Sequence, residues 1–408
     1  MIWKKTGWSD YPMRMNFDEI NDRHNTYSTQ WDFIADRFGA SNILPFSISD
    51  TDFKAPPEVI ERCDEVIRKG VYGYTRWNHH AYKGAIASYY KRRHNLEINE
   101  NWIMYSPSVI YTLAKLMELL TAPKDGICVF EPMYDAFYHV IQDNGRVLKK
   151  CRLKERDGQY EIDFDALEEQ ASQSRLMLLC SPHNPTGRVW AEEELKKICG
   201  ICDRYNLPLI SDEIHCDLTA EGFHHIPILK YRSKNTYLLN SASKTFNLPG
   251  LGGSYALIPD QKIRHQFEQR TRYMDFVNSA SLLSVCALIT AYDKCDYYID
   301  ELNHYISGNY ALLEDFCRKY PRIHFTRPQA TYLAWMNVQD LTSDDRYLQN
   351  VLVNEARVGF MNGRVYGDPH YLRINVGAPR SKVEEGLRRF STVMDQFSLQ
   401  EAHRKEKL

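Results

Sequence analysis

The sequence predicts an α/β protein: a large domain with a mostly parallel sheet covered by helices on both faces, joined to a smaller α+β domain. From about Pro57 onward, short apolar runs alternate with amphipathic helical stretches, the pattern of strands fed by crossover helices. After Asp293 this alternation gives way to one long helical stretch, two strands and a final helix. Polar clusters also follow directly on the apolar runs, at the carboxyl ends of strands, where parallel sheets build their sites.

Taken in order, residues 1–56 form an N-terminal segment too short to fold alone, which is expected to pack against the small domain. Its first fourteen residues differ in texture from the rest, and Met15 offers a second start. Residues 57–293 make the large domain. Within it the apolar runs at 127–130, 176–180, 209–210, 236–240 and 253–258 read as strands. The stretches 110–120, 134–143, 165–173 and 192–205 read as helices, the first from Ile110, Leu113, Leu116, Met117 and Leu120 at helical spacing. Residues 294–408 form the small domain: a long helix through Tyr320, strands at 331–338 and 371–376, and a helix over 381–397. The charged tail 401–408 is expected to fray.

At 408 residues with 43% hydrophobic content, the chain is too long for one small module and too apolar for a disordered one. Lys plus Arg (51) nearly balance Asp plus Glu (53), so no polybasic field favours nucleic acid, and small neutral or zwitterionic partners fit better. The longest apolar runs are far below the ~20 residues that span a bilayer, and the N-terminus has no apolar signal core. A cytoplasmic protein is expected. The ten cysteines are scattered through apolar segments, which predicts reduced thiols. Cys199 and Cys202 share one face of a predicted helix with no second ligand pair, which favours core packing over a metal, and no metal site is expected.

Each polar cluster is weak alone. Asn184 precedes Pro185 in a loop after 176–180, where an ordinary turn would serve as well. Asp212 and His215 follow 209–210, where a helix-capping Asp is the blander reading. Ser241, Ser243 and Lys244 follow 236–240; a lysine sheltered there could have a proton affinity low enough for a nucleophilic amine. Tyr134 lies beside the same edge and can stack on a planar ring, and Ser106–Ile110 opens a helix whose amides can hold an anion. Together, a lysine, a carboxylate, an Asn, an aromatic plate and an anion cradle are what pyridoxal phosphate demands: its aldehyde bonds an amine, its ring nitrogen pairs with an acid, and its phosphate needs hydroxyls and amides.

With those motifs in hand, the sequence resembles the fold-type I pyridoxal phosphate enzymes, and within them the MalY/PatB group of cystathionine β-lyases, related to class I and II aminotransferases. The resemblance runs from about Asn16 to Phe397 and includes Thr29–Asp32, Ile48–Asp50, Gly73–Tyr74, Pro107–Tyr111, Tyr134–Tyr138, Asn184–Gly187, Ser211–His215, Ser243–Asn247 and Arg373–Asn375. It implies that Lys244 bonds the cofactor aldehyde and Asp212 pairs with the ring nitrogen. It also implies that Asn184 reaches the ring oxygen and that Tyr134 stacks on the ring. His215 stands where aminotransferases usually carry a Tyr, a departure that fits the lyase group. Ser241, Ser243 and the amides of Val109 and Ile110 would hold the phosphate, joined by Tyr74 of a neighbouring subunit. An Arg that many aminotransferases place eight residues after the lysine is here Gly252.

Arg373 can also be argued from its strand, because Leu372, Ile374 and Val376 alternate apolar and leave it half-buried on the other face, in need of an anion. The resemblance makes that anion the substrate α-carboxylate; a structural salt bridge is the alternative. Trp31, Asp50 and Trp77 can shape the pocket. The expected reaction is β-elimination from L-cystathionine or other cysteine S-conjugates, giving pyruvate, ammonia and a thiol, in a homodimer with sites at the subunit interface. The alternatives are an aminotransferase and, further off, a regulatory protein that keeps the fold.

Overall fold

The computed structural model describes residues 13–277 and 279–405. The change of texture in the first residues therefore lies largely outside the described residues, as do 406–408 at the tail.

Two helices open the large unit, α1 (Pro57–Arg68) and α2 (His80–His94). The alternation then runs β1 (Ile103–Ser106), α3 (Val109–Leu120), β2 (Gly126–Glu131), α4 (Asp135–Gln142), β3 (Val147–Arg152), α5 (Phe164–Ser172), β4 (Leu176–Cys180), α6 (Glu192–Arg204), β5 (Leu209–Asp212), β6 (Thr236–Asn240) and β7 (Ser254–Leu257). The seven strands form one sheet in the order β1-β7-β6-β5-β4-β2-β3, parallel except for β7, which runs antiparallel to both neighbours. Strands β4, β5 and β6 are buried along their whole length, which explains why they read as unbroken apolar runs. Successive residues still face opposite sides: Leu178, Ile210 and Leu239 join the core under α3 and α4, while Leu179, Leu209 and Leu238 join the core on the other face.

The helices start where capping chemistry allows. The Ser108 hydroxyl accepts the Tyr111 amide at 3.2 Å and so starts α3, and Glu194 accepts the Ala191 amide at 2.7 Å at the start of α6. Cys199 and Cys202 are buried on α6, so their spacing is core packing, and all ten cysteines are free thiols.

Beyond α7 (Gln261–Glu268) comes α8 (Leu282–Lys294), and the long helix expected after Asp293 through Tyr320 is α9 (Asp296–Lys319), set off from α8 at Cys295. Cys295 leaves helical geometry at φ −115°, ψ 29°, a break that no Gly or Pro marks. A second, antiparallel sheet follows, built from β8 (His324–Phe325), β9 (Leu333–Asn337), β10 (Met361–Asn362) and β11 (Tyr371–Asn375) in the order β8-β9-β11-β10, with α10 (Asp345–Asn354) inserted between β9 and β10. The last helix, α11 (Arg380–Lys405), runs on through 401–405 where the charged tail predicts fraying, because Glu401, Ala402 and Lys405 are themselves good helix formers. Near the N-terminus, Leu44–Pro45 pairs in parallel with Val358–Gly359.

Candidate functional site

Five loops leave the carboxyl ends of β1, β2, β4, β5 and β6 and converge on one cavity of about 190 Å³. Its lining includes Val109, Ile110, Tyr134, Asn184, Asp212, His215, Ser241, Ser243 and Lys244, residues drawn from all five loops. The sheet order places β4, β5 and β6 side by side, which is why Asn184, Asp212 and Lys244, separated by tens of residues in sequence, share one crevice.

Lys244 sits in the turn after β6, and its Nζ donates to the Ser49 carbonyl at 2.5 Å. Burial pulls its ammonium down to about 8; Asp50 and Asp212 oppose that pull and Arg373 adds to it. Asp212, buried at the end of β5, moves the other way: burial raises its carboxyl to about 7, against the Ile214 amide that donates to it at 3.2 Å and the charge of Lys244. Burial together with the charges of Lys244 and Arg373 drives the His215 imidazole down to about 3, so it is neutral, and its Nδ1 has no partner among the described residues. Tyr134 caps the start of α4, and burial pushes its hydroxyl up to about 12.

On the opposite wall, Val109 and Ile110 are the first two residues of α3, where backbone amides have no intrahelical acceptor. The Ser241 hydroxyl donates to the Gly253 carbonyl at 2.8 Å and accepts the Ser243 amide at 3.1 Å. Gly252 lines this wall at φ +71°, a conformation an arginine would adopt only with strain.

Two expected site residues lie apart from this lining. Arg373, on β11, is not half-buried but 3% exposed, because β9 and β10 flank it on both sides and the 47–50 segment covers it. Its guanidinium donates to Asn184 Oδ1 at 3.1 Å and to the Ser47 carbonyl at 2.8 Å, and lies 4.4 Å over the Tyr366 ring. Among the described residues no carboxylate pairs with it, and its Nε has no partner. Tyr74 is 96% exposed on a stretch without regular structure, outside the cavity. Trp31 turns away, donating to Asp52 at 3.0 Å, and Trp77 stacks against Tyr105.

The residue that motif reasoning missed is Ser49. It acts through a backbone carbonyl, which no side-chain pattern reports, and it reaches the cavity only because Asn375 of β11 holds the carbonyls of Ile48 and Asp50 on either side. Below the cavity, His94, Cys216 and Asp217 bring ligand-capable atoms within 4.8 Å of one another, but both Asp217 oxygens already accept hydroxyls, from Tyr89 and Thr245.

The donor set suits pyridoxal phosphate. A nucleophilic amine with lowered proton affinity faces a buried acid that lacks a cation, an imidazole nitrogen awaits a partner, and free helix amides with serine hydroxyls close the far end. The architecture and this site together define the fold-type I class of α/β proteins. The chain belongs to the class I and II aminotransferase family, whose model matches residues 41–390. It is 36% identical to Protein MalY of Escherichia coli K12 over 91% of this chain and 97% of that one, and 33% identical to cystathionine beta-lyase PatB of Bacillus subtilis over 93% and 100%. The crystal structure of cystalysin from Treponema denticola, which contains a pyridoxal 5'-phosphate cofactor, superposes with a TM-score of 0.89 at 31% identity, covering 94% of this chain and 100% of cystalysin.

Proposed function

We propose that this protein is a pyridoxal-phosphate-dependent carbon–sulfur β-lyase that cleaves L-cystathionine and other cysteine S-conjugates to pyruvate, ammonia and a thiol, homocysteine in the case of cystathionine. The observation that carries it is the placing of Lys244 and Asp212 in one cavity lining, where burial draws their proton affinities toward each other, to about 8 and about 7. Bound there, the cofactor supplies an electron sink for the carbanion formed at Cα.

The chain's own residues supply the rest. Lys244 would anchor the cofactor and, when free of it, would hold the Cα proton on Nζ; an amine drawn down to about 8 is suited to both accept and return it. Asp212 would pair with the ring nitrogen, where its buried carboxyl would gain a cation and favour the protonated ring. Asn184 and neutral His215 would donate toward the ring oxygen, and Tyr134 would cover a ring face. Ser241, Ser243 and the amides of Val109 and Ile110 would hold the phosphate. Arg373 offers the substrate carboxylate a guanidinium whose Nε is unspent, and that grip would orient the Cα–H bond for removal of its proton.

The exposed Tyr74 supports a homodimer in which it reaches the phosphate of the neighbouring subunit. The pairing of Leu44–Pro45 with Val358–Gly359 supports a division into an N-terminal segment (1–56) packed on a small domain (294–408), beside a large domain (57–293). No described helix is long and apolar enough to cross a membrane, and the near-neutral charge suits the cytoplasm and small zwitterionic partners rather than nucleic acid. The direct test is absorbance: protein loaded with pyridoxal phosphate should show a band at the edge of the visible that Lys244→Ala lacks. A band that survives that substitution would remove Lys244 from its role.

A further inference from the structure

The segment 47–50 is held by β11 through three of its four backbone carbonyls. Arg373 takes the Ser47 carbonyl at 2.8 Å, and the Asn375 amide takes the carbonyls of Ile48 and Asp50, while Asn375 Oδ1 accepts the Gly377 amide at 2.7 Å and fixes the side chain. The Ser49 carbonyl, left out of this clamp, points into the site, where it accepts both Lys244 Nζ at 2.5 Å and the Tyr332 hydroxyl at 3.0 Å. Next to it, one carboxylate oxygen of Asp50 pairs with Arg23 at 2.7 Å; the other, Oδ1, is buried and has no hydrogen-bond partner among the described residues.

We infer that the Ser49 carbonyl, with the charge of Asp50 beside it in the recess that Asp50 and Lys244 both line, forms a seat for the Lys244 ammonium, occupied whenever that amine is not bonded to the cofactor and held open by Asn375. The inference rests on the reading of Lys244 as the cofactor-bearing lysine and assigns Asp50 as a positioning residue. A lysine that leaves the cofactor and gains a proton from the substrate needs a place where its charge is tolerated, and here that place is built into the backbone. The other groups that face Lys244 cannot serve: Arg373 repels it, His215 is neutral, the Tyr332 hydroxyl is already given to Ser49, and Asp212 is reserved for the ring nitrogen. Among charges near Lys244, Asp50 contributes most to restoring what burial removes.

The test uses the full-length protein with and without pyridoxal phosphate. Without cofactor, the pH dependence of Lys244 acetylation is followed peptide by peptide; with cofactor, the acid limb of kcat is followed on L-cystathionine. In Asp50→Asn both should move to lower pH, with acetylation at pH 7 faster by about fivefold because more of the amine is neutral. Asp50→Ser should repeat the result should the first variant fold poorly, and Glu19→Gln, an exposed charge removed elsewhere, should move neither. An acetylation midpoint or an acid limb left in place by both Asp50 variants, with parental melting temperature, overturns the seat. Failure of the underlying reading shows separately, as a visible-edge band that persists in Lys244→Ala.

Discussion

Arg373 donates to Asn184 Oδ1 at 3.1 Å, so a strand of the small sheet and a loop of the large sheet meet in one hydrogen bond between two buried side chains. The group proposed to read the substrate carboxylate thus touches the group proposed to read the cofactor oxygen, and the separation of substrate from ring is fixed by side chains rather than by loop position.

That coupling makes the arginine hard to replace. Arg373→Lys keeps the charge but loses the planar fork, the hold on Ser47 and the stacking over Tyr366. Steady-state kinetics should show kcat/KM down by about two orders of magnitude, roughly 2–3 kcal/mol, mostly through KM, with the cofactor absorbance unchanged.

Asp212 should cost the cofactor-free protein stability. A carboxyl raised from 3.8 to about 7 stays protonated in the folded chain while the unfolded chain ionises, so stability falls as pH rises from about 4 to 7 and the full penalty remains above that. Asp212→Asn, stripped of cofactor, should therefore be more stable than the parent at pH 8 by roughly 1–4 kcal/mol, with the gain vanishing near pH 4. Thermal melts at the two pH values measure this, and a gain that is equal at both would contradict it.

Ser108 links a helix cap to the phosphate cradle, because its hydroxyl orders the first turn of α3 that presents the amides of Val109 and Ile110. Ser108→Ala should lower unfolding free energy by about 1 kcal/mol. It should also weaken pyridoxal phosphate retention, read by dialysis against cofactor-free buffer.

The placement of Tyr74 can be tested by mixing two inactive variants. If Tyr74 serves the neighbouring site, Lys244→Ala and Tyr74→Phe subunits that exchange will form hybrids with one intact site, restoring about one quarter of parental activity at equal ratio. No recovery after confirmed exchange would return Tyr74 to its own chain or to the surface.

Much of this site was legible because parallel sheets write it at strand ends. The buried runs 176–180 and 236–240 announced β4 and β6, and Asn184 and Lys244 followed them at once. Strand direction was not legible: Ser254–Leu257 is buried throughout, so nothing in its pattern marks β7 as antiparallel. Edge strand β3 carries Lys149, Lys150 and Arg152 on a largely solvated edge and hid among loops. The burial of Arg373 escaped because alternation along one strand reports which face a residue is on, not that a distant segment covers that face. Ser49 escaped because a carbonyl has no letter of its own.

The most direct measurement is a product balance on the purified, cofactor-loaded protein with L-cystathionine, quantifying pyruvate, thiol, keto acid and pyridoxamine phosphate together. Equal amounts of pyruvate and homocysteine with no pyridoxamine phosphate are predicted. Conversion to pyridoxamine phosphate with a keto acid and no free thiol would contradict the β-lyase and make the protein an aminotransferase.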